Sequence, residues 1–201
     1  MVGPTTFGYQ VAGFGASGAA DLGQLELIRT QTVSSVSAVN FTNLKGSSFN
    51  THLLTVNDLQ YASSGDNMSI RVSNDGGSSY VGAGGSGTAY EFGIYYGSQV
   101  ANFNEYKSTG THKYDIGLLG GVGAPLSCNF YAYIYNANDS NTFTFFSSHG
   151  STFSSSVHHA QGMFYGGGVY AVAETVNAFT LFGDTGSNIA NGTFSLYGLK
   201  E

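Results

Sequence analysis

From residue 25 onward, apolar and polar residues alternate in short runs separated by Gly, Ser and Asn. An alternation of period two places successive side chains on opposite faces of a β-strand. In residues 52–60, Leu54 and Val56 share one face, and Thr55 and Asn57 share the other. Residues 68–73 alternate without a break: Met68, Ile70 and Val72 point inward, and Ser69, Arg71 and Ser73 point outward. The pattern predicts strands over 25–33, 36–41, 52–60, 68–73, 88–96, 113–119, 129–136, 141–147, 156–164, 169–176, 178–182 and 193–199. On 88–96 the inward face is Tyr90, Phe92, Ile94 and Tyr96. Residues 129–136 carry aromatic or aliphatic side chains on both faces, which reads as a central strand covered twice. Helix is confined to short turns near 18–25 and 100–103.

Residues 1–24 differ from the rest. They are small and flexible in composition and lack a strong period, so they read as an N-terminal arm. Residues 25–201 read as one domain: an all-β, jelly-roll-like antiparallel β-sandwich of about ten short strands. No linker divides the domain, and no internal repeat is present.

Composition agrees. Charged residues are 9% of the 201, against roughly 25% in an ordinary soluble domain. Aromatic residues make up 14%, with 15 Phe, 14 Tyr and no Trp, which is enough to fill a sandwich core. The 30 Gly serve the turns, because only two Pro are present. Net charge is −6, and the six Lys and Arg are scattered, so no cluster is available to meet phosphates. Nucleic-acid binding and attraction to an anionic membrane are therefore not expected. No run of apolar residues reaches spanning length, so membrane insertion is not expected either. The sequence lacks the pattern of a secretory leader. The single cysteine, Cys128, reads as a small buried hydrophobe.

Two stretches have a more specific look. One runs through 36–80 and includes Arg71-Val-Ser-Asn-Asp75-Gly76-Gly77-Ser-Ser-Tyr80; the other is Gly192-Thr-Phe-Ser-Leu-Tyr197-Gly198 near the C-terminus. Together they resemble a widespread group of bacteriophage virion structural proteins of the tail-fibre or minor structural type. Those chains pair an R-x-S-x-D-G-G-x-x-Y hairpin with a closing G-x-x-x-L-Y-G strand. The resemblance implies a surface module of the particle, made in the host cytoplasm. It implies a homotrimeric tail-fibre or receptor-binding module, attached to other virion proteins through the arm. A capsid decoration protein is the alternative. A carbohydrate-binding adhesin or a glycan depolymerase is the further alternative. Residue chemistry assigns its own roles to the motif. Asp75, Gly76 and Gly77 make a hairpin turn with positive φ angles. Tyr197 packs in a closing strand, where truncation would cost about 3 kcal/mol. Gly198 lets the backbone pass close to a neighbour.

Little else in the chain carries reactive chemistry. Two G-x-G-x-x-G matches, at Gly13–Gly18 and Gly82–Gly87, lack the strand-to-helix setting that dinucleotide binding needs. His149, His158 and His159 lie close in sequence, but His158 and His159 are adjacent and so face opposite ways on a strand. Their expected place is the surface or a subunit interface, without metal. Carboxylates are few and no motif pairs them, and no G-x-S-x-G elbow occurs. An enzyme is not expected, nor is a cofactor. The remaining candidates are Tyr131, Tyr133 and Tyr135, which alternate onto one face, with Tyr95, Tyr96 and Tyr106 as possible additions. These rings either stack on host surface glycan or fill a core or a subunit interface.

Overall fold

The computed structural model describes residues 24–63, 66–98, 103–118, 127–152 and 161–200. The described strands are β1 (Leu25–Val36), β2 (Ala38–Phe41), β3 (Thr51–Tyr61), β4 (Asn67–Ser73), β5 (Tyr90–Ser98) and β6 (Phe103–Thr111). They continue as β7 (Tyr114–Leu118), β8 (Cys128–Tyr135), β9 (Thr144–Thr152), β10 (Gln161–Tyr170), β11 (Ala178–Gly183) and β12 (Ile189–Leu199). An eight-stranded sheet runs β1-β12-β3-β8-β9-β10-β5-β6, and a four-stranded sheet runs β2-β11-β4-β7. Every pairing is antiparallel. The protein is an all-β sandwich.

The core lies between the two sheets, where alternating side chains meet. Leu54, Val56, Ile94, Ile134, Phe164, Phe194 and Leu196 come from the large sheet. Phe41, Met68, Ile70, Val72, Tyr114, Ile116, Phe179 and Leu181 come from the small one. The phase read from residues 52–60, 68–73 and 88–96 is the phase observed. Tyr114 stacks on Phe146 across the sandwich, with centroids 4.8 Å apart. Cys128 is buried, and burial pushes its thiol pKa up. The outward residues of β4 are not solvated as expected: Ser69 and Ser73 are both buried. The Ser69 hydroxyl donates to Asp115, and the Ser73 hydroxyl donates to Asp75.

Two strand expectations change. Residues 156–164 and 169–176 were separate in the pattern, but β10 runs unbroken through Gly166-Gly167-Gly168. These glycines make room and do not turn the chain. A Cβ on Gly168 would lie 2.6 Å from the Tyr114 ring, and one on Gly166 would lie 2.5 Å from the Gly93 carbonyl oxygen. Strand β6 has no counterpart in the pattern. Among the described strands it is an edge strand bonded only to β5, largely exposed on both faces, so it carries no apolar alternation.

The Asp75-Gly76-Gly77 turn has the expected backbone, with φ of 74° at Gly76 and 88° at Gly77. It does not close a hairpin. β4 pairs with β11 and β7, and the chain after the turn passes to β5 in the other sheet. The turn is held by side chains instead. Asp75 accepts from the hydroxyls of Ser73 at 2.7 Å and Ser79 at 2.6 Å, and from the Ser79 amide at 2.9 Å. Hydrogen bonds from Ser73 and then Ser79 hold the Asp75 carboxyl well below the usual carboxylate range. Residues 82–87 form one 3₁₀ turn at Ala83–Gly85 with no helix after it, so this glycine motif is a loop. The arm, the Gly13–Gly18 motif and the two expected helical turns (apart from their ends at Gln24, Leu25 and Phe103) lie outside the described residues, as do His158 and His159.

Candidate functional site

The four-stranded sheet packs on one face of the large sheet, so the alternate residues of the large sheet form its outer face. Their order follows from the register. In one row Thr30, Ser195, Thr55, Tyr131, His149, Tyr165, Tyr95 and Glu105 stand side by side from β1 to β6. The next row holds Leu27, Tyr197, Leu53, Tyr133, Ser147, Gly167, Gly93 and Lys107.

This face is nearly uncharged and carries large apolar side chains. Seven large side chains on it, Leu25, Leu27, Tyr95, Phe103, Tyr131, Phe145 and Tyr165, are 42% to 74% exposed. The five adjacent strands β12, β3, β8, β9 and β10 carry one Asp, Glu, Lys or Arg among them, Asp58. Asp58 sits at the rim, in a bulge with φ 54° where its amide donates to Asn129 Oδ1. Charge returns at the β5–β6 edge with Glu91, Glu105 and Lys107, the last two paired at 2.6 Å. Large exposed rings and aliphatic side chains gathered on one nearly uncharged face mark a surface that binds something else.

The face has two ends of different character. Toward β1 it is aliphatic, with Leu25, Leu27, Leu53 and Leu199 around Tyr197. The carbonyl of Gln24, where the described chain begins, accepts from the Lys200 amide at 3.0 Å at this end. Toward β8, β9 and β10 it is a tyrosine platform. Tyr133 and Tyr135 stack at 5.8 Å, Tyr131 meets Tyr133 edge-on at 6.0 Å, and Tyr95 stacks on Tyr165 at 5.7 Å. His149 lies edge-on to Tyr131, and its Nδ1 shares a hydrogen bond with the Tyr131 hydroxyl at 3.2 Å. This pair stands between two hollows. One, of about 380 Å³, is lined by Thr55, Asn57, Asn129, Tyr131, Ser151 and Met163, among others. The other, of about 350 Å³, is lined by Tyr131, Tyr133, Tyr135, Ser147, His149 and Tyr165, among others.

The structure therefore brings Tyr131, Tyr133 and Tyr135 together, and adds Tyr95. It does not bring Tyr96 or Tyr106 to them. Tyr96 is half-buried on the opposite phase of β5, and Tyr106 packs on Phe92 at 5.2 Å. Strand β8 is central in its sheet, but among the described residues it is covered on one face only. Phe130, Ala132 and Ile134 are buried, whereas the tyrosine face is open. Tyr197 is a second correction. It is half-buried on the outer face, and the closing strand buries Phe194 and Leu196 instead. Gly198 behaves as expected: a Cβ there would lie 2.2 Å from the Phe49 ring.

Tyr165 and Asn129 are additions that sequence reading did not name, and His149 and Asn57, which it put on the surface or a subunit interface and on the polar face of their strand, are joined to the tyrosines only by the structure. The phase of β9 and β10 puts His149 and Tyr165 outward, but their neighbours depend on strand order. Elsewhere, Lys113, buried in β7's approach, bonds Asp115 at 2.8 Å and Asp184 at 2.6 Å. Among the described residues, no group of three or more His, Cys, Asp or Glu is placed to hold a metal, and no helix is long and apolar enough to cross a membrane. Comparison with family models, curated proteins and solved structures finds no match.

Proposed function

We propose that this chain is a structural module of a bacteriophage particle, of the tail-fibre or receptor-binding type, acting as a homotrimer on the particle surface. The phage assignment stands on the resemblance of the Asp75-Gly76-Gly77 turn and the closing Leu196-Tyr197-Gly198 strand. The observation that supports a role in assembly is the outer face of the large sheet. Its aliphatic end offers Leu25, Leu27, Leu53 and Leu199 to a like subunit, with little charge to desolvate. The described chain begins at Gln24 in this corner, and residues 1–24 are proposed as an arm that attaches the module to a neighbouring subunit or another virion protein.

We assign no reaction to the chain. Asp115 and Asp184 are drawn together, but they enclose the ammonium of Lys113, and Asp115 is buried. That is an internal ion network, without the solvent-open pair of carboxylates that glycan hydrolysis uses.

Two measurements test the reading. Sedimentation equilibrium of the full chain should give three times the 21.0 kDa chain mass. Immunogold microscopy of particles should place the label on the tail in threes or sixes. Label spread over the capsid lattice would favour the decoration role, and unlabelled particles would remove the virion reading.

A further inference from the structure

We propose that the tyrosine end of the outer face is a binding site for a neutral carbohydrate chain, with the Tyr131–His149 pair as the ridge between two sugar subsites. The proposal gives the receptor-binding reading its ligand class and rests on that reading for its biological role.

Three observations carry it. The first is shape. Two adjoining hollows of about 380 and 350 Å³ share one wall, and each falls within the size of small-ligand sites. A chain of linked sugars would cross from one to the other over that wall. The second is chemistry. Each hollow sets ring faces beside hydroxyl, amide or imidazole groups: Tyr131 with Asn57, Asn129 and Ser151 on one side, Tyr133 and Tyr165 with Ser147 and His149 on the other. A sugar has the matching form, an apolar face of C–H groups and a rim of hydroxyls, and tyrosine offers both a ring and a polar tip. The third is charge. Among the described residues, neither hollow is lined by a lysine or arginine. An acidic sugar or a phosphate would lack the charged donor that such groups select. Lys107 stands at the far rim and is paired with Glu105.

Other occupants fit less well. An extended peptide binds a sheet by adding to its edge, where backbone groups are unpaired. These hollows lie over β3, β8, β9 and β10, all internal to the sheet. Toward β5 the platform continues through Tyr165 and Tyr95. Beside it, a Cβ on Gly93 would meet nothing within 4 Å, so the surface there stays low and open.

The test uses the full-length protein in its native oligomeric state. Neutral oligosaccharides of hexose and N-acetylhexosamine units, with uronate- and sialate-containing oligomers as the acidic comparison, are titrated by calorimetry and by saturation-transfer NMR. Binding of one or more neutral oligomers is expected, with weaker or no binding of their acidic counterparts. Tyr131→Ala and Tyr165→Ala should each weaken it by about tenfold, the loss of one stacking ring. Tyr131→Phe should retain most of the affinity. Lys107→Ala, on the same face but at the far β5–β6 rim, should bind sugar as the wild type does. Unchanged far-ultraviolet circular dichroism establishes that each variant is folded. The proposal is overturned if no neutral oligomer binds, if acidic oligomers bind better, or if Tyr131→Ala binds as well as wild type. It is equally overturned if Tyr131→Ala breaks the oligomer, because the platform would then be a subunit contact. Immunogold labelling of particles is independent of all these outcomes, so failure of the sugar site and failure of the virion reading are told apart.

Discussion

The ammonium of Lys113 lies 2.8 Å from Oδ1 of Asp115, and both side chains are buried. Asp184 approaches the same ammonium at 2.6 Å from a half-exposed turn. The Ser69 hydroxyl donates to the Asp115 oxygen that Lys113 holds. Removing the cation leaves a buried carboxylate uncompensated. We expect Lys113→Met to lower unfolding free energy by about 3–5 kcal/mol. The double variant Lys113→Met/Asp115→Leu should recover much of that loss, since it removes both desolvation costs. Urea unfolding of the set measures it, and additive losses would show that the pair is not coupled.

Gly198 and Phe49 make a comparable test of packing. A Cβ at 198 would lie 2.2 Å from the ring, which is held in the core and cannot swing away as a flexible side-chain end would. Gly198→Ala should cost about 1–3 kcal/mol by overpacking. The companion Phe49→Leu should relieve the clash, so the double variant should be more stable than the two single losses predict. Thermal unfolding of all three checks this.

The closing strand separates its two aromatics. Phe194 is wholly buried, and Phe194→Ala should cost about 3–5 kcal/mol. Tyr197 is half-buried on the outer face, so Tyr197→Ala should cost no more than about 1.5 kcal/mol, because only part of its ring leaves water on folding. Equal losses would put Tyr197 in the core after all.

His52 supplies a pH dependence. Its Nε2 bonds the Leu44 carbonyl oxygen at 2.7 Å, and burial lowers its pKa below the ordinary imidazole value of 6.5. The unfolded chain therefore takes up this proton at higher pH than the folded chain does. Stability from His52 is fully present above pH 6.5 and falls as pH drops from there toward the lowered folded pKa. The melting temperature should decline between pH 7.5 and pH 5, and His52→Gln should flatten that slope. A parallel decline in the variant would assign the slope to other groups.

Much of this structure is legible in strand phase. Leu54 and Val56, or Met68, Ile70 and Val72, declare which side of each strand is apolar, because alternation is a local property of the extended backbone. The turn at Asp75-Gly76-Gly77 is legible for a similar reason, since positive φ is strongly favoured at glycine. Strand β6 was not legible, because an exposed edge strand needs no apolar side. The run through Gly166-Gly167-Gly168 was misread for another reason. Glycine serves both turns and close approach, and only the ring of Tyr114 and the backbone of Gly93 tell which.

Sequence alone determined that this is a β-protein, that its strands have definite inner and outer phases, and that its charge is sparse. Tertiary structure decided what the tyrosines face. Residues 129–136 are apolar on both sides, and nothing local says whether one or two layers cover them. With four strands covering one side of an eight-stranded sheet, Phe130, Ala132 and Ile134 are buried and Tyr131, Tyr133 and Tyr135 are left on the open side. Strand order then set His149 beside Tyr131 and Tyr165 beside His149, residues 18 and 34 positions from Tyr131 in sequence. Adjacency of that kind comes from hydrogen-bonded register between distant strands, which no local pattern encodes.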